Sequence, residues 1–224
     1  MDPAIPGQVA VRLNPGVDLN AFAGDYGIPA TPLRDVASRN IYLLTIPGTV
    51  MPNEEEAFAN MLDADPRTRW AELNYFGDTP EGSGRTFWFN EVTLPGSYVG
   101  QDAWPQIGLD QAQGIQNTAA GMTIAVVDSG VDTMHPALAD ANIMTGYNFL
   151  NDTTDVADVF PGADADGDGD VDESAGHGTH VSGVVAHIAP QVNIVPLKVL
   201  DSEGNTNNFL LGEAMFAAID ANAD

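Results

Sequence analysis

The sequence predicts an α+β domain over residues 1–79, followed by an α/β domain with a parallel sheet over residues 104–224. Strand and helix patterns in the first 79 residues come in the order β-α-β-β-α-β. After residue 104, apolar β-branched runs alternate with helical patterns, which is typical of a parallel sheet covered by helices. Residues 80–103 are rich in turn-forming residues, so they are predicted to be a linker.

Four segments of the first domain carry strand patterns. The clearest is Gln8–Leu13, where apolar and polar residues alternate before the turn-forming Asn14–Gly16. Ile41–Ile46 and Arg69–Phe76 are rich in the β-branched and aromatic residues that strands favour. A weaker pattern covers Leu33–Val36.

Two helical patterns lie between these strands. Asp18 is placed to cap a short helix that carries Phe22 and Tyr26. Asn53 is placed to cap a second helix over Glu54–Leu62, whose acidic first turn suits the helix dipole. The complete order predicts a ferredoxin-like fold, which by itself says little about function.

The second domain begins with a helical pattern after Trp104 and then a strand that ends in a carboxylate. Gly121–Gly130 is an apolar β-branched run with Asp128 at its carboxyl end, followed by a glycine turn. Further strands are predicted over Ile143–Phe149 and Val192–Leu200, with another helix after them. This alternation predicts a doubly wound parallel sheet, which binds ligands at the carboxyl ends of its strands.

The overall composition excludes several partners. Asp and Glu number 32 against 7 Lys and Arg, which gives a net charge of −25 at pH 7. Such a surface repels nucleic acid and anionic membranes, and no apolar run reaches the roughly 18 residues of a membrane span. The chain has no cysteine, so disulfides and thiolate metal sites are excluded. Its start carries no visible signal peptide.

A histidine between two glycines is the first candidate for catalysis. Gly176–Gly183 places His177 at the start of an apolar helical run, and the glycines let other backbone approach the ring. By itself, the pattern fits equally well a buried histidine whose ring donates a hydrogen bond to a carbonyl group. Asp128 favours catalysis, because an aspartate that fixes the tautomer of a histidine and stabilises its imidazolium belongs to a Ser-His-Asp triad.

Three segments carry a resemblance to a known family, namely Val126–Leu138, His177–Gly183 and Ala189–Asp201. They resemble the subtilisin-like serine proteases and occur in that family's order, in which Asp precedes His and His precedes Ser. This resemblance implies that Asp128 is the orienting carboxylate and that His177 is the general base.

The resemblance also implies roles for other parts of the chain. Gly204, Asn205 and Thr206 would form one wall of a cleft in which a polypeptide substrate lies as an added edge strand. The first domain is similar to the family's propeptide, which templates folding and binds its own catalytic domain until cleavage, expected here within residues 80–103. An ordinary accessory domain is the alternative. The family's usual location is extracellular.

The family's nucleophile is missing from this sequence. No serine of the chain lies in a Gly-Thr-Ser-x-Ala segment. The chain therefore resembles the N-terminal part of a proenzyme, with an incomplete subtilisin-like α/β domain that we expect to be partly ordered and inactive by itself. Two alternatives are a calcium-binding or protease-inhibiting module and an inactive homologue used for interaction.

An acidic insertion between the two candidate catalytic residues suggests a cofactor. Carboxylates occupy every second position, and they are Asp164, Asp166, Asp168, Asp170 and Asp172. With Gly169 in sixth place, this spacing matches the opening of an EF-hand-type calcium loop. Position twelve is Ala175, so the bidentate glutamate of such loops is absent, although Asp172 and Glu173 can compensate. The alternative is a solvated acidic loop.

Overall fold

The computed structural model describes residues 3–78, 100–115, 119–165, 167 and 169–224. The chain divides into two compact units. The first comprises Met1–Gly77 together with Asn207–Phe209, and the second comprises the remaining residues. Most of the predicted linker, up to residue 99, lies outside the described residues.

The first unit contains an antiparallel sheet of four strands. They are β1 (Ala4–Leu13), β2 (Arg34–Val36), β3 (Ile41–Thr45) and β4 (Thr68–Gly77). Within the unit these four lie in the order β2-β3-β1-β4. Val9 of β1 pairs with Leu44 on one side and with Leu73 on the other, so apolar residues of three strands share one face.

Two helices connect these strands, in the predicted order β-α-β-β-α-β. Helix α1 (Leu19–Tyr26) is capped as expected, because Asp18 accepts a hydrogen bond of 2.9 Å from the amide of Ala21. The predicted cap at Asn53 is wrong. Asn53 lies inside a 3-10 turn, Pro52–Glu54, and helix α2 (Glu55–Asp63) begins after that turn without a side-chain cap.

The core of the first unit lies between the sheet and its two helices. Val9, Leu44, Phe22 and Leu62 represent the sheet and both helices, and all four are fully buried. Burial of apolar side chains on this scale is what a small domain needs in order to fold without a partner. The first unit therefore has the core of an independently folding domain.

We expect residues 1–79, expressed alone, to unfold cooperatively in urea, as followed by circular dichroism. Leu44→Ala should lower the free energy of unfolding by about 2–5 kcal/mol, because it leaves a cavity in the core. Leu33→Ala removes the same atoms from a half-exposed position. It should change the free energy of unfolding by less than about 0.5 kcal/mol. A broad, non-cooperative transition, or equal effects of the two variants, would contradict this prediction.

The second unit has a parallel sheet centred on the strand β8. Its strands are β5 (Thr123–Asp128), β6 (Asn142–Ile143), β7 (Tyr147–Asn148) and β8 (Asn193–Lys198). A short strand, β9 (Thr206–Asn207), follows β8 along the chain and lies outside this sheet. β5 pairs with β8 in parallel from Thr123 opposite Asn193 to Asp128 opposite Lys198. β6 and β7 pair in parallel with β8 as well.

The strand predicted over Ile143–Phe149 is interrupted in the structure. Its two halves, β6 and β7, pair with β8 on either side of Pro196, which has no amide hydrogen to donate to the ladder. Gly146 lies against the same residue, and a Cβ atom on Gly146 would overlap the carbonyl oxygen of Pro196. The interruption follows from this close backbone approach.

Helices cover both faces of this sheet. They are α3 (Ala103–Gln106), α4 (Leu109–Ile115), α5 (His177–Ile188) and α6 (Asn208–Asp220). Val181 and Val185 of α5 pack with Ile194 on one face, while Ala214 of α6 packs with Val195 on the other. Among the described residues, no helix has the length and apolar character to cross a membrane.

Candidate active site

Asp128 and His177 meet where the first parallel strand ends and helix α5 begins. The Nδ1 atom of His177 lies 2.7 Å from Oδ1 and 2.8 Å from Oδ2 of Asp128. The Asp128 side chain is 9% exposed and that of His177 is 16% exposed, so the pair is shielded while the ring keeps access to solvent. This geometry lets the carboxylate fix which ring nitrogen carries the proton.

Backbone geometry holds both residues in place. The carbonyl oxygen of Asp128 accepts hydrogen bonds from the amides of Val199 at 2.9 Å and Leu200 at 3.3 Å, which anchors the end of β5 to β8. Gly176, at a φ of 89°, starts helix α5 in the left-handed region that glycine favours. Gly178 has no room for a side chain, because a Cβ atom there would overlap the carbonyl oxygen of Gly130.

A second carboxylate, Asp158, joins the two segments that carry the pair. Asp158 is 8% exposed, and its Oδ1 atom accepts from the amide of Gly176 at 2.8 Å and from Oγ of Ser129 at 3.2 Å. Its Oδ2 atom accepts from Oγ1 of Thr179 at 2.6 Å and from the amide of Thr179 at 3.1 Å. Asp158 therefore connects the residue after Asp128 with residues on both sides of His177.

In this network the hydroxyl groups of Ser129 and Thr179 each accept one hydrogen bond and donate another. Ser129 Oγ accepts from the amide of Gly178 at 2.9 Å while it donates to Asp158. Thr179 Oγ1 accepts from the amide of Asp132 at 2.8 Å while it donates to Asp158. Sequence reasoning missed this role of Asp158, because the residue lies in an acidic segment 18 residues before Gly176 and no motif marks it.

A buried lysine and a half-buried histidine lie close to the pair. Lys198 is 7% exposed and its Nζ atom donates to the carbonyl oxygen of Ser129. Burial lowers the pKa of Lys198 from its usual value, and the negative charges of nearby aspartates, Asp158 first among them, oppose that shift. Burial, together with the nearby His177, also lowers the pKa of His180.

The predicted substrate residues follow the neighbouring parallel strand. Gly204, Asn205 and Thr206 come after the carboxyl end of β8, which pairs with the end of β5 that carries Asp128. Oδ1 of Asp201 shapes this turn by accepting from the amide of Asn205 at 2.8 Å. The turn and the Asp128–His177 pair thus follow carboxyl ends of adjacent strands at one edge of the sheet.

The structure describes three of the five predicted calcium ligands. Asp166 and Asp168 lie outside the described residues. Asp164 is exposed, and its carboxylate accepts from the amides of Gly167 at 2.6 Å and Gly169 at 3.1 Å. Asp170 is partly buried and Asp172 is buried. Within the described part of the chain, no three acidic or histidine side chains converge on one metal position.

Known proteins resemble this chain in sequence. Residues 119–224 match the sequence profile of the subtilase family. Over 98% of its length the chain is 27% identical to the thermophilic serine proteinase of Bacillus sp. (strain AK1), of which it covers 50%. It is also 32% identical, over 50% of its length, to the minor extracellular protease Vpr of Bacillus subtilis (strain 168), of which it covers 14%. The chain thus spans half or less of the length of these relatives.

A solved structure shares the fold. Fervidolysin from Fervidobacterium pennivorans matches 98% of this chain with a TM-score of 0.64 at 18% sequence identity. The chain covers 35% of that protein. The likeness extends through both compact units and shows that the chain has a subtilisin-like arrangement of α and β elements.

Proposed function

We propose, from the membership of residues 119–224 in the subtilase family, that this chain supplies two members of the catalytic triad of a serine endopeptidase. His177 is the general base and Asp128 is the carboxylate that orients it. The observation that carries the proposal is the contact of 2.7–2.8 Å between His177 Nδ1 and the Asp128 carboxylate. The substrate class is polypeptide.

In this mechanism each atom of the pair has one task. The Nδ1–H group of His177 donates a hydrogen bond to the Asp128 carboxylate and keeps its proton, which leaves Nε2 free to accept the proton of a serine hydroxyl. The resulting imidazolium is stabilised by the buried carboxylate, and the same proton is later given to the leaving amine. Because the Asp128 side chain is almost completely shielded from solvent, water weakens its attraction to the imidazolium little.

We propose that the nucleophile and the oxyanion-hole donor belong to parts of the full-length protein outside the printed sequence. Two facts support this: no serine of the chain stands in a Gly-Thr-Ser-x-Ala segment, and the chain covers 50% of a relative that it matches over 98% of its own length. The polypeptide substrate would lie as an edge strand beside Gly204, Asn205 and Thr206.

The first unit is proposed to be a ferredoxin-like propeptide domain that binds its own catalytic domain until it is cleaved within residues 80–103. Its strand order β2-β3-β1-β4, with one helix in each β-α-β half, supports this assignment. Secretion, the usual route of the family, is proposed with it.

The function is tested by expressing the full-length coding sequence and measuring hydrolysis of casein. We expect the full-length protein to hydrolyse casein and its nucleophile to be labelled by a fluorophosphonate probe. The 224-residue chain should show neither hydrolysis nor labelling. Hydrolysis that survives in the 224-residue chain and depends on His177 would overturn the proposed division of the triad. A full-length protein that folds but neither hydrolyses casein nor takes up the probe would overturn the enzymatic function.

We propose that the acidic segment from Asp164 to Asp172 binds calcium. Oxygen ligands at alternate positions suit a hard cation, and Asp164 supports a loop by accepting from the amides of Gly167 and Gly169. Titration calorimetry of the chelator-treated chain with calcium should show one site. The double variant Asp166→Asn, Asp168→Asn should lose it, whereas unchanged binding in that variant would move the site elsewhere.

A further inference from the structure

Two buried carboxylates outside the catalytic pair each have one oxygen without a hydrogen-bond partner. Asp172 is 8% exposed and Glu203 is 6% exposed. Within the described residues, Oδ1 of Asp172 and Oε2 of Glu203 are shielded from solvent and accept no hydrogen bond. A buried anion that lacks a partner destabilises the folded state, so these two oxygens require an explanation.

The two carboxylates are neighbours although they are distant in sequence. Oε1 of Glu203 accepts from the amide of Asp172 at 3.3 Å and from the amide of Ala165 at 3.4 Å. Oδ2 of Asp172 accepts from the amide of Gly162 at 2.6 Å. Glu203 therefore lies between the beginning and the end of the acidic segment, with its second oxygen left over.

The part of the chain that the structure describes offers no counter-ion for this pair. Neither Asp172 nor Glu203 takes part in an ion pair with Lys or Arg in the described part of the chain. After residue 85 the sequence contains a single Lys or Arg, Lys198, and its Nζ atom donates to the carbonyl oxygen of Ser129. A cation from solution would compensate these two buried negative charges.

We propose that a calcium ion binds between Oδ1 of Asp172 and Oε2 of Glu203, and that Glu203 supplies the carboxylate which Ala175 cannot provide at position twelve of the loop. Calcium suits two carboxylates with further carbonyl or water oxygens, because it takes six to eight oxygen ligands with flexible geometry. Ala175 is buried, so the loop's own twelfth residue faces the core. The inference rests on the proposed calcium loop and adds a ligand from a separate segment.

The bound ion would join the acidic segment to the turn that precedes the proposed substrate residues. Glu203 lies inside the turn shaped by Asp201, whose Oδ1 accepts from the amide of Glu203 at 3.0 Å. The amide of Ser174 donates to the carbonyl oxygen of Ser202 at 2.8 Å, so the two segments already contact each other. Calcium would hold this turn and thereby stabilise the proposed wall formed by Gly204, Asn205 and Thr206.

The test compares Glu203→Gln with Asp140→Asn, an acid-to-amide change at an exposed residue, in the 224-residue chain. Titration calorimetry with calcium chloride should show a Kd about 10-fold or more weaker for Glu203→Gln, and a Kd equal to that of the unchanged chain for Asp140→Asn. Hydrogen exchange at residues 201–205 should slow on calcium addition in the unchanged chain and respond little in Glu203→Gln.

Thermal unfolding separates an ion ligand from a purely structural hydrogen-bond acceptor. In EDTA, Glu203→Gln should have an unchanged or higher Tm, because it removes a buried charge, and its Tm should rise less on calcium addition. A lower Tm in EDTA with an unchanged calcium Kd would overturn the proposal. If Glu203→Gln fails to fold, Glu203→Asp keeps the charge but shortens the side chain and should still weaken calcium binding.

The outcomes also separate this inference from the calcium loop itself. Loss of binding in the Asp166→Asn, Asp168→Asn variant with an unchanged Kd in Glu203→Gln would leave the loop proposal standing and overturn the role of Glu203. Absence of calcium binding in the unchanged chain would overturn both.

Discussion

Replacement of His177 by alanine in the full-length protein should lower kcat for peptide hydrolysis by about 10⁶-fold, the scale of losing the general base of such a triad. Asp128→Asn should lower kcat by about 10⁴-fold. Both carboxylate oxygens of Asp128 lie within 2.8 Å of Nδ1, so the amide of asparagine would donate to that nitrogen. The ring proton would then reside on Nε2, which could no longer accept the proton of the nucleophile.

Steady-state kinetics on a chromogenic peptide would measure these losses. His187→Ala, on the same helix but packed against Trp104 with ring centroids 4.7 Å apart, is the histidine control, and Asp140→Asn is the carboxylate control. Both controls should retain kcat. If Asp128→Asn had the same kcat as the control Asp140→Asn, the triad assignment of Asp128 would be contradicted.

Asp158→Asn should lower the free energy of unfolding of the second unit by about 2–4 kcal/mol, because the new amide group faces hydrogen-bond donors that now lack an acceptor. The Asp158 carboxylate accepts four hydrogen bonds from Ser129, Gly176 and Thr179. Its negative charge also supports the buried Lys198, whose pKa it raises against the effect of burial. The variant would remove both effects from the scaffold of the Asp128–His177 pair.

Urea unfolding of the 224-residue chain would measure the change, with Asp140→Asn expected within about 0.5 kcal/mol of the unchanged chain. A readout specific to positioning is the exchange rate of the His177 Nδ1 proton by NMR, which should increase in Asp158→Asn. In the full-length protein, kcat should fall while KM changes little, because the hydrogen bonds of Asp158 go to Ser129, Gly176 and Thr179, which hold the pair. Equal stability of Asp158→Asn and Asp140→Asn would refute the role of Asp158.

The sequence by itself determined the elements that carry Asp128 and His177. A β-branched run that ends in a carboxylate is a local pattern, and it predicted β5 with Asp128 at its carboxyl end. The Gly-His-Gly start of an apolar run likewise predicted helix α5 beginning at His177. Hydrophobic periodicity records which face of an element is buried, so such elements can be predicted without knowledge of their neighbours.

Tertiary structure alone decided how distant segments meet. Asp158 and Glu203 lie in segments without motif spacing, and folding brings backbone amides of other segments to their carboxylates. The strand predicted over Ile143–Phe149 was divided for a similar reason, since Pro196 on the neighbouring strand removes a donor that the sequence of Ile143–Phe149 does not reveal. Local patterns specify secondary structure, whereas hydrogen bonds between segments depend on the packing of the whole unit.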